Sequence, residues 1–269
     1  MRKISTFSPD HFLYIKKVKQ ENLFVWIMRF TLLVAIFGLW ELLAQLNVID
    51  SFITSYPSKI AVTIVDLFLE NNLTYHIGVT LYETMLGFII AVSLGYIIAL
   101  LLWWSEKLRR ILEPYIIVLN SLPKIALGPI IIVWCGSGSR AIIFMAVLIG
   151  IIVAIITMLN GFLATDKNKI ILLKAMGANK FKILLKLVVP SSLPTFISML
   201  KISVGMAWVG SIMGEYLVSR AGLGYLIIYG GQVFKLDLVM ASTFVLCILA
   251  ALMYASVALL EKILIKSDK

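Results

Sequence analysis

Lys124 stands between Pro123 and Pro129 in an otherwise apolar stretch, and Lys201, Trp208 and Glu215 recur every seven residues along another. Proline removes a backbone donor and frees a carbonyl one turn earlier, so Pro123 and Pro129 leave unpaired groups at membrane depth. Broken backbone is tolerated there where it lines a cavity or is covered by protein. An ionisable residue inside a span marks a solute or ion pathway by default. Ser121, Pro123 and Lys124 on the first stretch, with Lys201, Met206, Trp208 and Glu215 on the second, are therefore candidate pathway residues. Their chemistry is hydrogen bonding and charge compensation for a polar solute, not bond cleavage. Plainer readings stand beside this one. Lys124 can snorkel to the nearby surface, the seven-residue face can be packing, and Glu215 can be a solvated cap.

Catalytic motifs are missing from the sequence. It holds no G-x-x-x-x-G-K-[ST], no H-E-x-x-H and no G-x-S-x-G. Gly136-Ser137-Gly138-Ser139 lacks the lysine of a phosphate loop and reads as an exposed turn. Cys135 and Cys247 lack metal or redox spacing, and His11 and His76 are isolated. If ATP drives any work here, its hydrolysis belongs to another polypeptide.

A second kind of site is a docking surface. The polar, Lys-rich stretch from Thr165 to Pro190 interrupts a chain that is otherwise nearly all apolar. Its spacing predicts two short helices with a glycine elbow. Thr165 or Asp166 can cap the first, and Gly177 can end it because glycine tolerates the left-handed turn. Asn179 can cap the second, whose Phe181, Leu184, Leu185 and Val188 fall at helical spacing. Such a pair can lay an apolar side on its own membrane helices and present Leu173, Lys174, Ala175, Gly177 and Ala178 to a soluble partner.

The elements that must carry these residues are membrane helices. The chain has 269 residues, 61% hydrophobic content and a mean hydropathy of +1.01, which excludes a soluble domain. Roughly 20 consecutive apolar residues cross a bilayer as a helix. The apolar runs do not alternate, which excludes a barrel. We place spans at residues 25–46, 83–104, 114–134, 141–162, 192–212 and 238–260, the third interrupted by Pro123-Lys124 and Gly128-Pro129. Residues 58–70 are too short and polar to span and are expected along the outer interface. The first 24 residues lack the pattern of a secretory signal, so the first span is expected to be retained.

Charge sets the orientation. Arg2, Lys3, Lys16, Lys17, Lys19, Lys107, Arg109, Arg110, the six lysines of the 167–186 stretch, Lys262, Lys266 and Lys269 fall on one side, against Lys59, Arg140, Arg220 and Lys235 on the other. Both termini and the Gly177 loop are therefore expected in the cytoplasm. The net charge of +10 follows from this topology, and no nucleic-acid motif accompanies it. Arg29 and Glu41 read as interface anchors of the first span.

The Gly177 stretch resembles the coupling loop of ABC importer permeases, whose pattern is Glu-Ala-Ala, three residues, Gly, nine residues, Ile-x-Leu-Pro. Gly177 holds the glycine, and Leu187-Val188-Val189-Pro190 follows in register. Ile171-Leu172-Leu173 stand where Glu-Ala-Ala would be, so the acidic residue is missing. The likeness extends along the chain to the nitrate/sulfonate/taurine-type group of that family. It is carried by Ser55-Tyr56-Pro57-Ser58, Thr80 to Phe88, Leu112-Glu113-Pro114, Ser121 to Pro129, Gly214-Glu215-Tyr216 and Ala221-Gly222-Leu223-Gly224-Tyr225-Leu226.

The resemblance implies an all-α polytopic membrane bundle of about six transmembrane helices with the type I ABC importer permease fold. Residues 1–24 would be a cytoplasmic segment, 25–262 the permease domain with its coupling loop at 163–190, and 263–269 a cytoplasmic tail. It also implies a bacterial plasma or inner membrane location, two ABC ATPase subunits, an extracytoplasmic substrate-binding protein and a second permease copy as a homodimer. ATP and magnesium would sit on the ATPase, with no cofactor or metal in this chain. The solute would be a sulfonate, nitrate, taurine or a related organic solute such as a vitamin precursor. The rival class, an ATP-independent secondary transporter or channel, calls for inverted repeats and intramembrane coupling acids. The sequence offers one broken span and no second copy of it.

Overall fold

A computed structural model describes residues 9–70 and 72–264, and the basic residues Arg2, Lys3, Lys266 and Lys269 lie outside the described residues. Among the described residues every regular element is helical. The chain divides into two units, Met1–Thr63 and Ile64–Lys269. The first contains α1 (Pro9–Gln45), α2 (Ser51–Thr54) and the start of α3 (Pro57–Glu70). The aliphatic residues of α1 stay exposed along most of its length, as a lipid-facing helix requires. Glu41 does more than anchor α1. It accepts from the Ser58 N–H at 3.0 Å and the Ser58 hydroxyl at 2.8 Å, so it caps the first turn of α3.

The second unit is built on α4 (Leu73–Trp104), which ends at Ser105. Ser105 accepts from Leu108 N–H and opens α5 (Glu106–Ser121). A 3₁₀ turn at Lys124–Leu127 then leads to α6 (Gly128–Cys135). α5 and the Lys124–Cys135 segment meet at 86°. The third span, expected over 114–134 with interruptions at Pro123-Lys124 and Gly128-Pro129, is two arms, and the elbow falls where those residues interrupt the backbone ladder. α7 (Ser139–Leu163) follows the Gly136–Gly138 turn. α8 (Lys167–Ala175), α9 (Lys180–Ile183), a π-helical turn at Leu184–Val188 and the short α10 (Val189–Ser191) form the polar interruption. α11 (Leu193–Val218), α12 (Leu223–Gln232) and α13 (Leu236–Leu264) complete the unit.

Five of the described helices are long and apolar enough to cross a membrane, or six if the bent pair counts as one span. The first span begins earlier, at Lys16, and two inner boundaries move as well: the second span begins at Leu73 and the fifth continues to Val218. Both inner extensions carry polar side chains that hydropathy alone discounts, among them His76, Thr80 and Glu215.

α4, α7 and α11 form the central layer, and small residues bring them together. A Cβ on Gly95 would stand 2.5 Å from the Ala154 Cβ, and one on Gly214 would stand 2.9 Å from the Ile142 Cα. A Cβ on Gly210 would collide with the backbone of Ala146. The Gly210–Gly214 pair therefore serves contact within the chain, α11 against α7, in the manner of small-xxx-small packing. Thr84 and Ser211 share a buried 2.6 Å hydrogen bond between α4 and α11, with the Ser211 hydroxyl also 3.2 Å from the Trp208 carbonyl. In lipid an unpaired hydroxyl would cost several kcal/mol on the order of a lost hydrogen bond.

Candidate functional site

The Gly177 segment folds from strictly local signals. Asp166 Oδ1 accepts from Asn168 N–H at 2.8 Å, which opens α8. Of the two predicted caps it is Asp166 that does this. Thr165 is buried, and its hydroxyl meets that of Ser191 at 3.1 Å, tying the end of α7 to α10. α8 ends in a double closure: Gly177 N–H donates to the Lys174 carbonyl and Ala178 N–H to the Leu173 carbonyl, both at 2.9 Å. This closure needs a left-handed residue at its apex, and Gly177 has φ +80°. Asn179 Oδ1 then accepts from Lys182 N–H at 2.8 Å and starts α9.

The second helix departs from the expected regular pattern. Its predicted face of Phe181, Leu184, Leu185 and Val188 assumes an α-helical period, but Leu184–Val188 is a π-turn. One residue is in effect added to the turn, and the buried set becomes Ile183, Leu184 and Val188. Phe181 and Leu185 are more than half exposed. Ile183, Leu184 and Val188 enter the main core beside Ala99 and Leu102 of α4, Met158 and Phe162 of α7, and Met199 of α11.

A further anchor had no motif to announce it. The Lys180 ammonium donates to the Trp104 carbonyl at the end of α4 and lies 5.7 and 5.3 Å from the ring centroids of Trp103 and Trp104. It occupies the negative end of α4 and two aromatic faces together. On the outside of the elbow Ile171, Leu172 and Met176 are exposed at 62%, 60% and 73%. Lys174, Ala175, Gly177 and Pro190 are exposed as well, while Leu173 and Ala178 are half-buried against the core.

The pathway candidates divide between two regions. Ser121 is exposed at the end of α5, Pro123 precedes the elbow and Lys124 opens the 3₁₀ turn. The Lys124 ammonium donates to the Asn120 carbonyl at 3.1 Å, satisfying a group that the break releases from the helix ladder. On α11, Lys201, Trp208 and Glu215 share a side, and it is the side covered by α13, α12 and α4. Lys201 pairs with Glu261 of α13 at 2.6 Å. Trp208 is 4% exposed among Val204, Met253 and Val257, its indole N–H without a partner. Glu215 is 1% exposed, which removes the reading as a solvated cap, and accepts from Gly224 N–H at 2.6 Å. Met206 is half-buried.

Two groups near Glu215 were not singled out from the sequence. Glu83 of α4 is equally buried and faces it. His76 accepts from Gly222 N–H through Nδ1 at 3.0 Å and stacks on Tyr225 with ring centroids 6.1 Å apart. Thr80 Oγ1 accepts from Leu223 N–H at 2.8 Å. The Gly222-Leu223-Gly224 turn is thereby fastened to α4 and α11 at the end of the bundle opposite Gly177.

The chain thus combines a broken helix pair, a central α4–α7–α11 layer and a capped glycine elbow rooted in that layer. Residues 91–267 match the model of the binding-protein-dependent transport system inner membrane component family, and the chain belongs to that family. It is 30% identical over 227 residues to the formylaminopyrimidine transport permease protein ThiX of Halalkalibacterium halodurans, covering 84% of this chain and 90% of that one. It is 25% identical over 252 residues to the putative aliphatic sulfonates transport permease protein SsuC of Bacillus subtilis, covering 94% and 91%. Among solved structures, the inward-facing MetNI methionine ABC transporter has the same fold, with a TM-score of 0.63, 19% identity, and coverage of 72% of this chain and 99% of that one. The chain is the multi-pass permease subunit of an ABC importer, and it has the type I importer permease fold. A subunit of this kind works with an ATPase and a substrate-binding protein.

Proposed function

We propose that two copies of this chain form the translocation pathway, with two ATPase subunits docked on the loops around Gly177 and a binding protein delivering solute from the opposite face. ATP with magnesium is bound and hydrolysed on the ATPase. Both termini and the 163–190 segment are cytoplasmic. The solute is a small organic molecule of the kinds named for the relatives, an aminopyrimidine or a sulfonate.

The observation that carries this reading is the construction of the elbow. Ile171, Leu172 and Met176 offer an exposed apolar surface beside Gly177, while Ile183, Leu184 and Val188 are set in the α4–α7–α11 core. Force applied at such an elbow moves the core helices with it, because close-packed interiors transmit strain. The apolar residues at the Glu-Ala-Ala position would replace a polar contact with a hydrophobic one. Of the pathway candidates, we assign lining to Ser121, Pro123, Lys124 and Met206, and a role in holding α13 to Lys201 and Trp208.

Gly177→Glu places a charged side chain at a left-handed position where the partner must approach. The purified complex should lose its ATPase and its uptake, while the permease still inserts in the membrane. Normal ATPase retention and uptake in Gly177→Glu would contradict the docking assignment.

A further inference from the structure

At the end of the bundle opposite Gly177, the first turns of α4, the turn before α7 and the end of α11 line an open-sided cavity of about 370 Å³. Tyr75, Glu83, Ser137, Ser139 and Arg220 give it a polar wall. Glu83 is 1% exposed, belongs to that wall, and its Oε2 has no hydrogen-bond partner. Behind it lies Glu215, also 1% exposed, with Oε1 unpartnered. The Glu83 carboxyl has Ser139 and Glu215 within hydrogen-bonding reach. Among the described residues neither carboxyl belongs to an ion pair.

Glu215 has no freedom to retreat. Its Oε2 is held by Gly224 N–H, and a Cβ on Gly222 or Gly224 would collide with its side chain. Two facing buried carboxyls share a proton, and the pair still presents one negative charge and spare acceptor oxygens that a positive charge or an N–H donor beside them satisfies. A sulfonate or nitrate brings only acceptors and negative charge to the Glu83 end of that wall and is repelled there, leaving it only Arg220 at the rim. An ammonium, an amidine or an amino-substituted heterocycle brings N–H donors that match a carboxylate. The cavity is large enough for a compact molecule of that kind, with the Tyr75 ring as one wall and Arg220 at the exposed rim for an acidic tail.

We infer that this cavity is a solute subsite in which Glu83, backed by Glu215, accepts the cationic or N–H-bearing end of the transported molecule. The chain thus passes nitrogen-donor solutes and excludes anions that carry no donor. This inference rests on the pathway reading above and narrows it to a substrate class.

The test uses the whole importer in proteoliposomes, with Cys135→Ser and Cys247→Ser removing the native thiols and Ser137→Cys placing one in the cavity. Aminoethyl methanethiosulfonate and sulfonatoethyl methanethiosulfonate, one cationic and one anionic, are the probes. A charged, low-dielectric cleft changes local ion concentration by about 10-fold or more, so Glu83→Gln should lower the cationic-to-anionic rate ratio by about 10-fold. Glu83→Asp, which keeps the charge, should preserve the ratio and serves where Glu83→Gln fails to assemble, read against the unsubstituted chain at raised and lowered pH. A ratio unchanged by Glu83→Gln, or insensitive to pH in the Glu83→Asp chain, overturns the subsite. ATP-driven uptake is scored separately with 4-aminopyrimidine and methanesulfonate as competitors. Competition by the aminopyrimidine alone is expected, and competition by methanesulfonate alone overturns the substrate class. Absence of ATP-driven uptake of any solute, with the thiol ratio as expected, would count against the importer reading and leave the cation-selecting cavity standing.

Discussion

Single residues hold both ends of the bundle in place. Lys180 fastens the coupling segment to α4 through the Trp104 carbonyl and two indole faces. Lys180→Met keeps the aliphatic stem and removes the ammonium, at a cost of about 0.5–1 kcal/mol for a cation–π contact at an exposed site. Limited trypsin digestion should then cut the 167–186 stretch several-fold faster, and an unchanged rate would show that α9 is held by its apolar contacts alone. At the other end Gly222 has φ +112° and its hydrogen lies against Glu215. Gly222→Ala adds backbone strain of about 1–2 kcal/mol and a collision with the carboxyl, and the purified chain should unfold at a lower temperature. Gly136→Ala, with φ +77° but open space around it, should lose less.

Elements are fixed by close approach and by interruptions of regular structure. Gly210→Ala forces a methyl into the Ala146 backbone, and overpacking of this kind costs about 1–3 kcal/mol. Gly205→Ala on the open side of the same helix, with nothing within 4 Å, is the matched control and should be near neutral or stabilising. Thermal unfolding in detergent separates the two. Much of this scale was legible in the sequence, because hydropathy reads out spans and Asp166, Gly177 and Asn179 are strong local punctuation. The π-turn was not legible. Leu184–Val188 has ordinary helical spacing, and only packing against α4, α7 and α11 selects an extra residue in that turn. The 86° elbow was half legible, since Pro123 and Pro129 announce a break but not its angle. Glu83 was missed because one acid near the end of an apolar run resembles an interface anchor. Its meaning comes from Glu215, which is remote in sequence. Lys201 and Trp208 stood out as a periodic face, but sequence could not say that α13 covers it.

At the scale of the whole molecule, the chain has a rooted elbow at one end, a carboxyl-lined cavity at the other and a packed three-helix layer between them. Cysteines at Ser121 and Met206 should react with a small permeant thiol reagent, with rates that change when the ATPase is trapped with nucleotide. Uniformly low reactivity in every nucleotide state would remove both positions from the pathway. The central claim is that ATP hydrolysed on a partner drives solute through this chain, and uptake into proteoliposomes tests it most directly. With the ATPase, the loaded binding protein and ATP, uphill uptake and hydrolysis should appear together, and both should vanish when the permease is reconstituted alone. Accumulation by the isolated permease in ATP-free vesicles, driven by a proton or sodium gradient, would contradict it.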